Sequence, residues 1–352
     1  MNPAFWRNKK VLLTGHTGFK GSWLALWLQQ LEAKLCGIAL APNTEPNLFK
    51  LAHVAQNMES HYADIRDYEQ TKKIIDQFQP EIIIHMAAQP LVRYSYEHPI
   101  ETYATNVMGT VHILEAAKHC ESVRAVVNVT TDKCYENKEW VWGYRENEPM
   151  GGHDPYSNSK GCSELVTSAY RDSFYKKLNK GLASARAGNV IGGGDWALDR
   201  LVPDIINSIV KGKSVIIRNP QAIRPWQHVL EPLSGYLLLA EKLCNSPVVY
   251  SSGWNFGPYV HEAVNVESMV EKIFTNWHGE NAGWKIEQDK NQLHEANFLK
   301  LDITKASTEL QWQPRLNLDE TIQWIVDWYQ MWLDNQNMYE FTVKQINAYQ
   351  AK

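Results

Sequence analysis

The segment Tyr156-Ser157-Asn158-Ser159-Lys160 sets a phenol and an amine one helical turn apart. On a helix that spacing brings both to one face. Asp154 and Pro155 just before it make a good N-cap and first helical residue. A phenol beside a cation can exchange a proton with a substrate hydroxyl, because the cation stabilises the phenolate. Upstream, an apolar run ends in Thr130-Thr131, and Asp132-Lys133 follow directly. Thr131 offers a hydroxyl to the same oxygen as Tyr156. Asp132 offers an acid. Lys133 has three readings: it can take a proton only if it sheds its charge in the folded site, it can remain a cation and steady a developing anion, or it can be a plain structural lysine.

A second motif stands near the N-terminus. Thr14-Gly15-His16-Thr17-Gly18-Phe19-Lys20-Gly21 follows a short apolar, β-branched run and opens an amphipathic stretch. Glycines at 15, 18 and 21 permit a tight turn, close approach to a pyrophosphate and close helix–strand packing. The helix start behind them presents free N–H groups to an anion. The usual acidic hook for an adenosine ribose is expected ~20 residues on. Ala39-Leu40-Ala41-Pro42-Asn43 supplies neither carboxylate nor arginine, so this test does not separate NAD from NADP. Asp64 and Ile65, after a later strand, are placed to read an adenine.

The elements that must carry these groups alternate. Strands are expected at Lys9–Thr14, Leu35–Leu40, Glu59–Ala63, Glu81–Met86, Ala125–Thr131 and Leu182–Ala187. Helices are expected at Gly21–Glu32, Tyr68–Phe78 and Thr102–His119, and from near Asp154. Such alternation implies α/β architecture: a doubly wound parallel Rossmann sheet covered on both faces. After Gly188 the rhythm changes. Gly192-Gly193-Gly194 reads as a turn lining a cleft, and short strands at Ser214–Arg218 and Trp254–Phe256 mix with helices near Pro232–Cys244 and Val266–Trp277. Residues 1–187 are therefore read as a dinucleotide-binding domain and 188–352 mainly as a smaller mixed substrate lobe, with some chain returning to the first domain. Trp324, Trp328 and Trp332 recur at helical spacing and read as packing.

Composition excludes several classes. The 352 residues carry a net charge of −4 with no basic block, which argues against nucleic acid. No apolar run is long enough for a membrane span. The five cysteines lack paired spacing and read as reduced thiols of a cytoplasmic protein. No His, Asp or Glu cluster has metal-ligand spacing, so no metal is expected. His85, closing the fourth strand, reads as a satisfied core histidine.

Gly15/Gly18/Gly21, Asp64, Ala87-Ala88, Asn106, Thr131 and Tyr156/Lys160 together resemble the extended short-chain dehydrogenase/reductase family, the NAD-dependent epimerases and dehydratases. The resemblance covers nearly the whole chain. It implies bound NAD, contacted by Gly15, Thr17, Gly18, Phe19, Gly21, Asp64, Ile65, Ala87, Ala88, Asn106, Tyr156 and Lys160. It also implies a nucleotide-sugar substrate and a homodimer, or a higher homo-oligomer, joined through two helices per subunit. The segments GHTGFKGSWL, TTDKCYEN and RAGNVIGGGDW are similar to the hexose 4,6-dehydratases within that family and imply CDP-D-glucose as substrate. Catalysis would fall to Thr131, Asp132, Lys133, Tyr156 and Lys160, in a route to deoxysugar and O-antigen precursors. The dTDP-glucose members carry Asp-Glu where this chain has Asp132-Lys133. Asn189 and Arg224 resemble the family's diphosphate contacts. An epimerase would need no acid aimed at C6, and a cofactor-sensing regulator would need neither Tyr156 nor Lys160.

Overall fold

The computed structural model describes residues 1–279, 283–287 and 298–352. Strand β1 (Lys10–Thr14) buries four residues in succession, as a strand covered on both faces must. Helix α1 (Phe19–Gln30) follows, then β2 (Lys34–Ala39), β3 (Glu59–Tyr62), α2 (Tyr68–Phe78) and β4 (Ile82–His85). A short helix α3 (Pro99–Tyr103) passes through a π-turn (Ala104–Met108) into α4 (Gly109–His119). Then come β5 (Ala125–Val129), α5 (Pro155–Tyr170) and the wholly buried β6 (Gly181–Ala187).

The central sheet has seven strands in the order β11-β6-β5-β4-β1-β2-β3, all parallel. Its seventh member, β11 (Gly253–Phe256), comes from the C-terminal half and pairs with β6. Between β6 and β11 lie β7 (Val190–Ile191), α6 (Leu201–Val210), β8 (Val215–Ile217), β9 (Ile223–Arg224), β10 (Gln227–His228) and α7 (Leu230–Asn245). After β11 come β12 (Val264–Asn265), α8 (Val266–Asn276), β13 (Trp284–Ile286), α9 (Leu318–Leu333) and α10 (Met338–Ala351). The small strands form three two-stranded pairs: β7 with β10, β8 with β13, β9 with β12.

One apolar cluster packs each face of the sheet. The larger holds α1, α7, α9 and α10; the smaller holds α2 and α4. Helix α1 is buried from Gly21 through Leu28, because α10 covers the side that the sheet does not; Trp27 meets Tyr349 edge-on at 5.6 Å. The tryptophan stripe is packing: Trp328 is fully buried, and Trp332 meets Trp196 edge-on at 5.2 Å. Among the described residues no helix is long and apolar enough to cross a membrane.

Several boundaries differ from expectation by a residue or two, and three differences bear on the site. Helix α1 begins at Phe19, because Gly18 already serves as its N-cap. Strand β5 stops at Val129, which leaves Thr130 and Thr131 in the loop beyond the sheet. The stretch expected as one helix over Thr102–His119 is interrupted by the π-turn around Asn106.

Candidate active site

The strand order reverses between β1 and β4, and such a reversal opens a crevice at the carboxyl ends of the strands. A cavity of about 660 Å³ lies there. Gly15, Thr17, Gly18, Phe19, Gly21, Asp64, Ile65, Ala87 and Ala88 line one end. Thr131, Asp132, Lys133, Tyr156 and Lys160 line the middle, and Asn189 and Arg224 the other end. Every candidate but Asn106 therefore meets in one space.

The loop after β1 is built for a close-approaching anion. Gly15 has φ 79°, and a Cβ on Gly21 would lie 2.0 Å from the Gly15 carbonyl oxygen. Only glycine lets helix and loop approach so far. The Thr14 hydroxyl accepts from the Met86 and Ala87 amides, both at 3.0 Å, and so donates to His85 Nδ1 at 2.7 Å. That fixes the His85 tautomer, with Nε2 toward Thr110 Oγ1 at 3.3 Å. Burial, reinforced by Lys160, brings His85 down to about 3, so the ring is neutral. It holds the end of β4 in place, as a satisfied core histidine does.

Asn106 is buried but does not line the cavity. Its side chain exchanges hydrogen bonds with the Gln89 backbone at 2.8 and 3.0 Å and donates to Ser159 Oγ at 2.9 Å. Those contacts occupy both amide hydrogens and one acceptor site of the oxygen, so Asn106 braces the wall beside the cavity. Asp64 does face the cavity, but its carboxylate is already engaged: the Arg66 Nε and Nη2 donate to it at 2.8 and 2.6 Å. An adenine there would meet an Asp64–Arg66 pair.

Asp154 caps α5 through the Ser157 amide at 2.8 Å, which aims Tyr156 and Lys160 inward. The Thr131 hydroxyl approaches both the Tyr156 phenol and Asp132 Oδ1, the latter at 2.9 Å. The other Asp132 oxygen, Oδ2, is buried without a partner. A Cβ on Gly188 would fall 2.0 Å from it, so β6 leaves Asp132 just enough room. Burial raises the Asp132 carboxyl despite the opposing charge of Lys133, which keeps its proton on more readily than usual.

Burial pushes Tyr156 up to about 12; the Thr131 hydrogen bond and the Arg200 charge work the other way. The cation opposing burial at the phenol is thus Arg200, where the sequence pointed to Lys160. The Lys160 ammonium turns toward the Val129 carbonyl at 3.4 Å, and burial lowers it to about 8 against the supporting charge of Glu164.

Sequence reasoning missed several cavity residues. Arg200 is anchored to the buried Asp195 at 2.8 Å. Arg93 and Arg218 meet across the cavity at Asp199, at 3.8 and 3.9 Å. Nothing in their spacing marks them, since they come from separate elements. Lys20 did carry a signal: a cation in the first turn of a helix opposes the dipole. Its contact is the Tyr236 ring at 5.7 Å, without a hydrogen-bond acceptor among the described residues. Burial, together with Lys160 and Arg200, lowers it to about 7. The fold also gathers Cys36, Glu59 and His61 from β2 and β3, with ligand-type atoms within 4.8 Å of one another; this grouping was invisible in the linear spacing, and none of the three lines the cavity.

A sequence model of the GDP-mannose 4,6 dehydratase family matches residues 12–325. The chain belongs to the GDP-mannose 4,6 dehydratase family. Within this family's reach, the CDP-glucose 4,6-dehydratase of Salmonella typhimurium is 56% identical across 100% of this chain and 99% of its own. Human GDP-mannose 4,6 dehydratase is 24% identical over 90% of each chain. Among solved structures, the dTDP-glucose 4,6-dehydratase of Bacillus anthracis in complex with NAD superposes with a TM-score of 0.77 at 22% identity, covering 95% of this chain and 99% of that one. The fold is the one this family shares.

Proposed function

We propose that the chain converts CDP-D-glucose to CDP-4-keto-6-deoxy-D-glucose with loss of water. The observation that carries the reading is the meeting of Thr131, Asp132, Lys133 and Tyr156 in one cavity, in a chain 56% identical over its full length to a CDP-glucose 4,6-dehydratase. The glycine loop, Asp64–Ile65 and Ala87–Ala88 would hold NAD, which would supply a hydride acceptor at C4 and a hydride donor at C6. Tyr156, steadied by Thr131, takes the proton of the C4 hydroxyl. The ketone acidifies the C5 hydrogen. Lys133 removes that proton and restores one to C5 as hydride reaches C6, or, as a cation, it steadies the enolate while water carries the proton off and back. Asp132, with its free Oδ2 and raised carboxyl, protonates the departing C6 hydroxyl. Asn189 and Arg224 hold the diphosphate, with Arg93, Arg200 and Arg218 adding positive field.

On this reading residues 1–187 bind NAD and 188–352 mainly bind the nucleotide sugar. A homodimer is supported by α3, its π-turn and α5. Ile100 is 85% exposed, Met108 48% and Leu165 60%, around a shallow apolar hollow that includes Tyr103 and Val107. Five free cysteines support a reducing, cytoplasmic location.

The test is a screen of nucleotide-glucose donors by mass with added NAD. CDP-D-glucose should lose one water faster than its UDP, GDP or dTDP counterparts. Preference for another base would overturn the substrate, and an unchanged sugar the reaction.

A further inference from the structure

Behind the cavity wall lies a carboxylate that the chemistry above does not use. Glu164 follows Lys160 by one turn on α5 and is 5% exposed. Its Oε1 accepts from the Thr130 hydroxyl; its Oε2 accepts from Ser184 Oγ at 2.6 Å and from Arg186 Nη2 at 2.7 Å. One side chain thus ties α5 to the end of β5 and to β6. Thr130 is the immediate neighbour of Thr131, so the same clamp sets the hydroxyl that meets Tyr156.

Lys160 is held far more weakly than Glu164. Its ammonium makes one long bond, to Val129. Lys20 from α1 and His85 from β4 face it, as does the Cys134 thiol from the turn after β5; Glu164 is the carboxylate whose charge supports it. Although burial works against its charge, Glu164 is kept ionised by Arg186 and by hydrogen bonds from Ser184 and Thr130. Arg186 in turn donates through Nη1 to the Tyr135 hydroxyl at 2.7 Å and the Glu146 carbonyl at 3.0 Å. A buried ion pair is often no more stabilising than apolar packing of the same volume. Its place here is better accounted for by what it holds.

We propose that Glu164 is a positioning residue for the reaction: clamped by Thr130, Ser184 and Arg186, its carboxylate sets the place of Thr131 and stands one helical turn from Lys160, which lines the cavity with Tyr156. The inference rests on the C4 oxidation proposed above. Wild-type turnover of CDP-D-glucose in the same assay tests that reading, and the variants' pH profiles test this one.

Glu164→Gln keeps the shape and removes the charge. Its kcat should fall about fivefold at pH 8 and recover toward pH 6, because Lys160, which would meet NAD as a cation, sheds its proton about one pH unit lower, while KM stays within about threefold. Glu164→Asp keeps the charge and should keep the limb near its wild-type position. Should the single Gln variant fail to fold, the Glu164→Gln/Arg186→Met double, which removes both buried charges, is read for the same downward shift. A folded Gln or double variant with a wild-type alkaline limb would overturn the proposal. So would a double variant that cannot fold, since that assigns the network to stability alone.

Discussion

Gly188→Ala probes the acid without touching it. The new methyl would lie 2.0 Å from Asp132 Oδ2 and 2.4 Å from its Cγ, far inside contact distance. Asp132 is 1% exposed and tied to Thr131 through Oδ1, so it cannot swing into solvent. To restore ordinary contact the carboxylate must move by more than 1 Å. Overpacking of this kind costs about 1–3 kcal/mol of stability. A displacement of about 1 Å at a reacting group costs on the order of 100-fold in rate, or about 2.7 kcal/mol in barrier. Tyr156 and Lys160 lie on another element, so C4 oxidation should survive better than loss of water. Single-turnover reaction with CDP-D-glucose, followed by the near-ultraviolet absorbance of reduced nicotinamide, separates the two steps. Reduced cofactor should accumulate in Gly188→Ala, and likewise in Asp132→Asn, while keto-deoxysugar forms slowly. Normal overall turnover in a folded Gly188→Ala protein would refute the placement of Asp132 as acid.

Tyr156→Phe should bind NAD as the wild type does but lose at least about 100-fold in turnover, the scale of a lost general base; cofactor titration and product assay check the pair, and near-normal turnover removes Tyr156 from the reaction. Lys133→Ala and Lys133→Arg part the two roles of Lys133. A base predicts that both fail at C5, within about tenfold of each other, and an active Arg variant points to the electrostatic role. Deuterium uptake at C5 by Lys133→Ala would remove the base role. Lys20→Met should raise the Tm of cofactor-free protein. Burial lowers Lys20 to about 7 while the unfolded chain keeps the ordinary value, so its cost is complete below pH 7 and fades as pH rises toward that value. The gain, about 1–2 kcal/mol after allowance for the cavity's solvent, should therefore be larger at pH 6 than at pH 9. An equal gain at both would contradict the assigned charge.

The sheet was legible because most of its strands are short apolar runs closed by a turn, and because the glycine loop sits where a first strand ends. Tyr156, Lys160, Thr131 and Asp132 were legible because their spacing is local. What stayed hidden was set by long-range packing. Arg186 reaches Glu164 from another strand, and Arg200 reaches Tyr156 from the C-terminal half. Gly188 matters only because Asp132 faces it across two loops. The surroundings of Asn106 stayed hidden for the same reason: the π-turn directs its amide to Gln89 and Ser159. Lys160 stood at the right spacing, yet burial and the Val129 carbonyl decide where its charge points.

The central claim is that oxidation, elimination and hydride return occur in one cavity on one sugar. CDP-D-glucose carrying deuterium at C4 tests it directly. After turnover in ordinary water, nuclear magnetic resonance of the product should find that deuterium at C6. Deuterium lost to water, or a C6 methyl group whose third hydrogen comes from solvent, would contradict the account.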